Sequence, residues 1–245
     1  MMIKQKRIFL LIALGAFLAI QALLGLLLQT AGGRATAIFS YTAIVLSCLF
    51  CGVSAVRSKV YLFTQLGLLF TVGADYFLVY SPDQRQLLAM ILFSLTQLCY
   101  FLRLWHDEQN KARRPYHAAL RIALTCLALL TTVIVLREKT DALALVSIFY
   151  YSNLALNTVF AFTVGERPPL FAIALVLFMC CDTVIGLSLL DTYFTIDESA
   201  LLYRILHPDF NLAWVFYLPS QALIAISLLP TKLNPCNNTK NRSDV

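Results

Sequence analysis

The sequence predicts an all-α fold, a polytopic membrane helix bundle of about eight transmembrane helices. Two observations lead to this prediction. Of the 245 residues, 60% are hydrophobic and 13% are charged, and the mean hydropathy is +0.76, which is too apolar for a soluble globular domain. The apolar residues are also gathered into eight runs of about 18–22 residues, and a helix of that length crosses the hydrocarbon core of a bilayer.

The eight runs follow one another with mostly short polar connections. The first comes after three basic residues, as in a signal peptide, but its apolar core exceeds the usual length of about 7–15 residues, so it is assigned to a helix. The longest connection, residues 191–211, is charged and is predicted to be a solvated loop. The predicted membrane domain covers residues 1–231, and residues 232–245 form a polar cytoplasmic tail. The runs comprise residues 8–28, 35–56, 60–80, 87–105, 118–136, 142–162, 169–190 and 212–229.

The basic residues predict how the bundle is oriented in the membrane. If the N-terminus lies inside, five of the 19 Lys and Arg residues fall on the outer side, and the others, Arg103 and Arg121 among them, fall in cytoplasmic segments. Cytoplasmic segments of membrane proteins are enriched in Lys and Arg, so both termini are predicted to lie inside. The same bias explains the net charge of +6 without a nucleic-acid partner.

Two of the runs contain an acidic residue, Asp75 in the third and Asp182 in the seventh. A carboxylate at the centre of a spanning helix costs roughly 2.5–3.5 kcal/mol on insertion scales, so such a residue is seldom kept without a use or a partner. No Lys or Arg is expected in mid-helix to balance these charges. The pattern favours a functional site over the alternative, a pair of structural hydrogen-bonding groups.

The two acidic runs also predict an internal repeat. The third and seventh helices are four helices apart and therefore run in the same direction. Each carries Leu-Phe shortly before its Asp, and each Asp lies past the helix midpoint toward the outer side. This pattern is typical of two parallel four-helix halves that hold the carboxylates at similar depth.

Three further runs each carry two polar residues spaced three or four positions apart, so that both lie on one face of the helix. The ordinary structural role of such residues is hydrogen bonding between helices, which contributes about 1 kcal/mol or less per residue. Because three helices repeat the pattern beside two acids, one shared polar cavity is predicted, with these residues binding substrate. The pairs are Gln97 with Tyr100, Asn153 with Asn157, and Tyr217 with Gln221.

Several chemistries are not expected from this sequence. The three histidines lie at helix ends or in loops, so no intramembrane zinc site is predicted, and no metal or other cofactor is predicted. There is no Gly-x-Ser-x-Gly elbow and no Gly-rich phosphate loop. Six of the seven cysteines lie in apolar runs, where they are expected to pack as small residues. Of the chemistries considered, catalysis by carboxyl groups is the one that the sequence favours.

Four segments of the chain form a recognisable set of motifs. They are 67–70 and 73–75 in the third run, Phe93, Thr96, Gln97 and Tyr100 in the fourth, 177–182 in the seventh, and 217–224 in the eighth. In these segments the chain resembles the YhhN-like family of lysoplasmalogenases, multi-pass membrane enzymes that cleave the vinyl ether bond of lysoplasmalogens. The chain departs from the family pattern at two positions: Ala74 separates Gly73 from Asp75, and Gln97 stands where the family usually has a histidine. Gln can hold a substrate by hydrogen bonds but does not transfer protons at neutral pH.

The resemblance implies an ether hydrolase in which Asp75 and Asp182 are catalytic. One carboxyl would donate a proton to the vinyl ether, and the other would stabilise the resulting cation and activate water, as the two carboxylates of glycosidases do. The polar pairs would orient the headgroup, the glycerol and the water. The implied partners are a lysophospholipid substrate and membrane lipid, in the inner membrane if the host is bacterial. The oligomeric state is left open.

Two other functions fit the same residues. Acidic residues at the interface between repeats also serve proton-coupled carriers and lipid-binding proteins, which would use the aspartates without hydrolysis. A helix bundle without chemistry would keep the acids apart, each bonded to its own neighbouring helix.

Overall fold

The structure is a computed structural model that describes residues 2–53, 59–83, 85–164, 169–189 and 211–229. Most of the predicted loop 191–211, the predicted domain boundary at residue 231 and the predicted tail 232–245 lie outside these ranges. The described residues form eight helices and no strand, which confirms the predicted all-α membrane bundle. The helices are α1 (Met2–Thr30), α2 (Arg34–Val53), α3 (Lys59–Asp75), α4 (Gln86–Asp107), α5 (Arg113–Leu136), α6 (Ala142–Thr163), α7 (Leu170–Ser188) and α8 (Leu212–Ile226).

Seven of these helices are long and apolar enough to cross a membrane, and α8, at 15 residues, is the short one. The chain is therefore an integral multi-pass membrane protein. Each helix overlaps one of the eight predicted runs. The largest difference is at α1, which begins at Met2 rather than at residue 8, because Lys and Arg are good helix formers and continue the helix beyond its apolar part.

A π-helical segment, Tyr76–Tyr80, continues α3 directly after Asp75. The backbone N–H of Ser81 donates to the carbonyl of Tyr76 at 2.7 Å, which closes the wider turn. Tyr80 stacks on Tyr41 of α2 with ring centroids 5.0 Å apart. The wider turn therefore gives the end of α3 an aromatic contact with α2.

The first four helices pack on one another in the same order as the last four. In each half the first helix packs on the second, the second on the third, and the third most extensively on the fourth. The two halves join where α4 packs on α6 and, at the corresponding place, where α8 packs on α2. This repetition agrees with the two parallel halves predicted from the acidic runs.

Gly67 of α3 faces the ring of Tyr100 on α4 at short range. A Cβ atom at Gly67 would lie 2.4 Å from Cε1 of Tyr100, so no larger residue fits without displacement of the ring. Thr96 of α4 donates to the Gly67 carbonyl at 3.2 Å, and its hydroxyl lies 3.3 Å from that of Thr71. At this depth the small residues Gly67 and Thr71 of α3 are thus packed directly against α4.

Two ends of the bundle are distinguished below. The aspartate end is where α3 and α7 end and where α4, α6 and α8 begin. The arginine end is the opposite one, where α4 and α6 end and α5 begins. In the orientation predicted from the sequence, the aspartate end faces outward.

Candidate functional site

Asp75 is the last α-helical residue of α3, immediately before the π-helical segment. Its side chain is 2% exposed. The hydroxyl of Tyr217, in the second turn of α8, donates to its Oδ2 atom at 2.7 Å. Asp75 therefore connects the first half of the bundle with the last helix of the second half.

Asp182 lies in α7 and accepts a hydrogen bond from the hydroxyl of Tyr150 on α6. Tyr150 is buried, whereas Asp182 is partly exposed. Asp141 caps the N-terminus of α6 by accepting from the backbone N–H of Ala144 at 2.7 Å, and this cap fixes where the helix begins. The start of α6 in turn sets the depth at which Tyr150 meets Asp182.

The two aspartate–tyrosine pairs lie beside each other. The buried ring of Phe178 separates the two tyrosines, with centroids 6.4 Å from Tyr150 and 5.3 Å from Tyr217. Asp75 is within electrostatic range of both Asp182 and Tyr150. The four polar residues, Asp75, Tyr150, Asp182 and Tyr217, are called the acid–tyrosine cluster.

The acid–tyrosine cluster offers two carboxyl groups in an apolar setting, each held by one phenolic donor. A protonated carboxyl group can donate a proton to a bound molecule, and an ionised one can stabilise a cation or accept a proton from water. Within the described part of the chain, neither aspartate is within 4.0 Å of a basic side chain. The cluster can therefore carry out paired acid and base chemistry without a neutralising cation.

A second polar group lies nearer the arginine end. The Nδ2 atom of Asn157 donates to both the backbone carbonyl and Oε1 of Gln97, each at 2.9 Å. The guanidinium of Arg121 donates to Oδ1 of Asn153 at 2.7 Å and to Oδ1 of Asn157 at 2.6 Å. These four side chains, Gln97, Arg121, Asn153 and Asn157, are called the arginine–amide network.

The remaining two predicted substrate-binding residues lie apart from both groups. Tyr100 packs on Gly67 and meets the ring of Phe171 edge-on, with centroids 5.5 Å apart. Gln221 is buried and contacts Ser220, with 3.3 Å between Nε2 and Oγ. The structure thus divides the six predicted residues: Tyr217 joins the acid–tyrosine cluster, and three join the arginine–amide network.

Two arginines that the sequence assigned to cytoplasmic segments are in fact buried among the helices. Arg121 is 9% exposed, and Arg103 is 2% exposed. The Nη1 atom of Arg103 donates to Thr64 at 3.2 Å and to Ser227 at 2.9 Å, and its guanidinium lies over the ring of Phe171, 3.6 Å from the centroid. These buried positions were not expected from the sequence, because long arginine side chains placed near the arginine end reach inward. Among the described residues neither aspartate has a basic side chain within 4.0 Å, so neither arginine balances their charge.

The sequence contains a signal that could have revealed Arg121. His117, Arg121 and Thr125 are each four residues apart and so form one polar stripe on α5. A polar stripe on a helix that crosses a membrane is expected to face other helices rather than lipid.

The model of the YhhN family matches residues 53–228 of the chain. The chain belongs to the YhhN family. This confirms the resemblance found in the sequence. The YhhN match runs from the end of α2 to the end of α8, so it includes the acid–tyrosine cluster and the arginine–amide network. No curated protein and no solved structure matches the chain.

Proposed function

We propose that this YhhN-family protein is an intramembrane hydrolase that cleaves the vinyl ether bond of lysoplasmalogens. The products are a fatty aldehyde and a glycerophospho-alcohol. The observation that carries the proposal is the acid–tyrosine cluster, in which two carboxyl groups on different helices are each bonded to a tyrosine hydroxyl and both tyrosine rings pack against Phe178. Vinyl ether hydrolysis requires one acid and one base, and no other described site offers two adjacent carboxyl groups within the bundle.

The reaction begins with proton transfer from one carboxyl group to the β-carbon of the vinyl ether. The double bond is consumed, and an oxocarbenium ion forms whose positive charge is shared between the α-carbon and the ether oxygen. The second carboxylate stabilises that cation and takes a proton from the attacking water. The hemiacetal then collapses: the second carboxyl group gives its proton to the ether oxygen, which leaves as the glycerophospho-alcohol. The first carboxylate takes the hydroxyl proton as the aldehyde carbonyl forms, so both groups return to their starting states.

The tyrosines position the carboxyl groups. A phenolic O–H that donates to one carboxyl oxygen fixes the rotation of the side chain and leaves the other oxygen for substrate or water. Tyr150 and Tyr217 each occupy one oxygen in this way. A fixed carboxyl matters here because protonation of a carbon requires close alignment with its π-orbital.

The proposal is tested with the full chain purified in detergent, by the release of fatty aldehyde from lysoplasmenyl-ethanolamine and lysoplasmenyl-choline. Asp75→Asn and Asp182→Asn are expected to lower the rate by about 10²–10⁴-fold, the range for loss of a general acid or base. Asp83→Asn is the matched control, because Asp83 lies exposed in the connection after α3, where it pairs with the exposed Arg85.

Each variant is checked by size exclusion, and a lysolipid with a saturated ether serves as the substrate that should release no aldehyde. The proposal would be overturned if the well-folded wild type released no aldehyde from either vinyl ether lipid. It would also fail if both aspartate variants kept wild-type rates. Proton movement coupled to lipid uptake in vesicles, without hydrolysis, would instead identify a carrier.

A further inference from the structure

Arg121 presents a buried positive charge that has no acidic partner. It lies in the third turn of α5, and within the described residues no carboxylate is within 4.0 Å of it. A guanidinium has five N–H donors, and the two asparagines accept only two of these bonds. Its Nε atom is buried without a hydrogen-bond partner. Burial of an uncompensated charge is costly, so the arrangement fits a site that receives an anion.

A second unused donor belongs to the same network. Gln97 is fully buried, and its Nε2 atom has no partner in the structure, although its Oε1 accepts from Asn157. Arg121 and Gln97 are therefore joined through Asn157, and each has donors to spare. A phosphate group, which carries negative charge and several acceptor oxygens, is the kind of ligand that such donors bind.

The position of Arg121 along the bundle suits a glycerophospholipid. Tyr150, Asn153 and Asn157 lie on one face of α6, and the first of them bonds the aspartate while the other two bond Arg121. At 1.5 Å per residue, Asn153 and Asn157 lie about 4.5 and 10 Å from Tyr150 along the helix axis. In a lysoplasmalogen the ether oxygen and the phosphorus are separated by roughly five bonds, about 6 Å when extended. One lipid can therefore reach both groups.

A small cavity lies at the arginine end, with room for about one water molecule. It lies between α4, α5 and α6, and its walls include Phe101, Trp105, Glu108, Arg114, His117 and Phe160. Two of these rings also lie against Arg121, whose guanidinium carbon is 4.4 Å from the centroid of Phe101 and 5.8 Å from that of Phe160. The cavity thus adjoins Arg121 on the side away from the aspartates.

We infer that Arg121, supported by Asn153 and Asn157, binds the phosphate group of the lysophospholipid whose ether bond lies at the acid–tyrosine cluster. The identity of the lipid rests on the proposed function. Recognition of the phosphate does not require turnover and can be tested by itself. In this arrangement the headgroup points toward the arginine end, and the hydrocarbon chain lies toward the aspartate end.

The test measures binding of two ligands with saturated ether chains of equal length, one an alkyl glycerophosphocholine and the other an alkyl glycerol without phosphate. Binding to the full chain in detergent is followed by the fluorescence of the two tryptophans, of which Trp105 lines the cavity. The wild type is expected to bind the phosphate-containing ligand at least about tenfold more tightly, as hydrogen bonds to charged groups predict. Arg121→Gln is expected to remove this preference and to leave binding of the alkyl glycerol unchanged.

The matched control is Arg113→Gln, since Arg113 is an exposed arginine two turns earlier on the same helix. Arg121→Lys keeps the charge but loses the two-pronged geometry, so part of the preference should be lost. This second variant decides the question if Arg121→Gln does not fold. The inference is overturned if Arg121→Gln, or in its place Arg121→Lys, discriminates between the ligands as the wild type does. It is also overturned if inorganic phosphate binds tightly while the phosphate-containing lipid does not.

Failure of this inference can be told apart from failure of the proposed function. The saturated ligands are not hydrolysed, so a wild type that binds them through Arg121 but releases no aldehyde supports phosphate recognition and removes the hydrolase. If the wild type releases aldehyde and Arg121→Gln leaves KM unchanged, the hydrolase is supported and phosphate recognition by Arg121 is refuted.

Discussion

Asp75 and Asp182 occupy corresponding positions in the two halves, yet each receives its hydrogen bond from a different kind of neighbour. Asp182 of α7 is bound by Tyr150 of α6, the preceding helix of the same half. The corresponding helix beside Asp75 is α2, where Tyr41 instead stacks on Tyr80. Asp75 is bound by Tyr217 from the other half. The repeat thus supplies two acids, and the departure from the repeat makes their surroundings unequal.

The π-helical segment accounts for part of this inequality. It follows Asp75 directly, whereas ordinary α-helix continues after Asp182 to Ser188. The wider turn brings Tyr80 to the ring of Tyr41, which then has an aromatic contact of its own. Asp75 is nearly fully buried and Asp182 is partly exposed. The two carboxyl groups thus have unequal surroundings, and unequal surroundings can divide two carboxyl groups between the roles of acid and base.

Lengthening each acid by one methylene should give the largest difference between the halves. In Asp75→Glu the added group enters a fully packed site, so the carboxyl is displaced, and displacement of about 1 Å can cost roughly 10²-fold in rate. In Asp182→Glu the partly exposed side chain has room to adjust, and the loss is expected to be only about tenfold. Aldehyde release measures both rates. Equal losses would show that the difference in burial has no catalytic meaning.

Removal of single tyrosine hydroxyls should have a smaller effect. Tyr150→Phe and Tyr217→Phe each delete the donor to one carboxyl group, and each is expected to lower the rate of aldehyde release by roughly tenfold. Two controls are available. Tyr41→Phe changes the corresponding tyrosine of the first half, and Tyr151→Phe changes the adjacent one, which bonds Thr183 at 2.8 Å. If Tyr41→Phe lowers the rate of aldehyde release as much as Tyr150→Phe does, the proposed difference between the two halves is refuted.

The smallest effect concerns stability at the contact between the third and fourth helices of each half. Gly67 lies eight residues before Asp75, and the corresponding residue before Asp182 is Ala174, which is fully buried. Gly67→Ala makes the first half like the second at this position, but its Cβ meets Tyr100, so destabilisation of about 1–3 kcal/mol is expected. Thermal unfolding in detergent measures it. Gly186→Ala, whose added carbon has no atom of the described residues within 4 Å, should be neutral or mildly stabilising, and an equal loss there would refute the packing argument.

The helices and the two acids could be predicted from the sequence because apolar runs and isolated carboxylates are visible in one dimension. The identity of the donors could not, because which residue of α6 or α8 meets an aspartate depends on helix rotation and depth. Tyr150 lies in an apolar run three residues before Asn153, and nothing in the sequence pairs it with Asp182, to which the structure bonds it. Asn157, seven residues from Tyr150, lies about 10 Å farther along α6, too far to contact the same atoms of a substrate as the acids.

Two further features were missed for separate physical reasons. The π-helical segment follows Asp75 in a sequence of ordinary apolar and aromatic residues, and no Gly or Pro marks it. Arg121 was counted with the cytoplasmic charges because of its place near a helix end. Charge counting along the chain does not reveal whether a long side chain points toward water or along the helix into the bundle.

The contact of Tyr100 with Gly67 has a consequence for motion. A transporter that alternates between two openings must slide or rock some of its helices past one another. At this contact a fully buried ring lies against the backbone of the facing helix, and Thr96 is bonded to the Gly67 carbonyl. Displacement of α4 along α3 by one turn would push the ring into residues that have side chains. We therefore expect α3 and α4 to move as one rigid unit, so that any opening of the bundle occurs at other helix contacts.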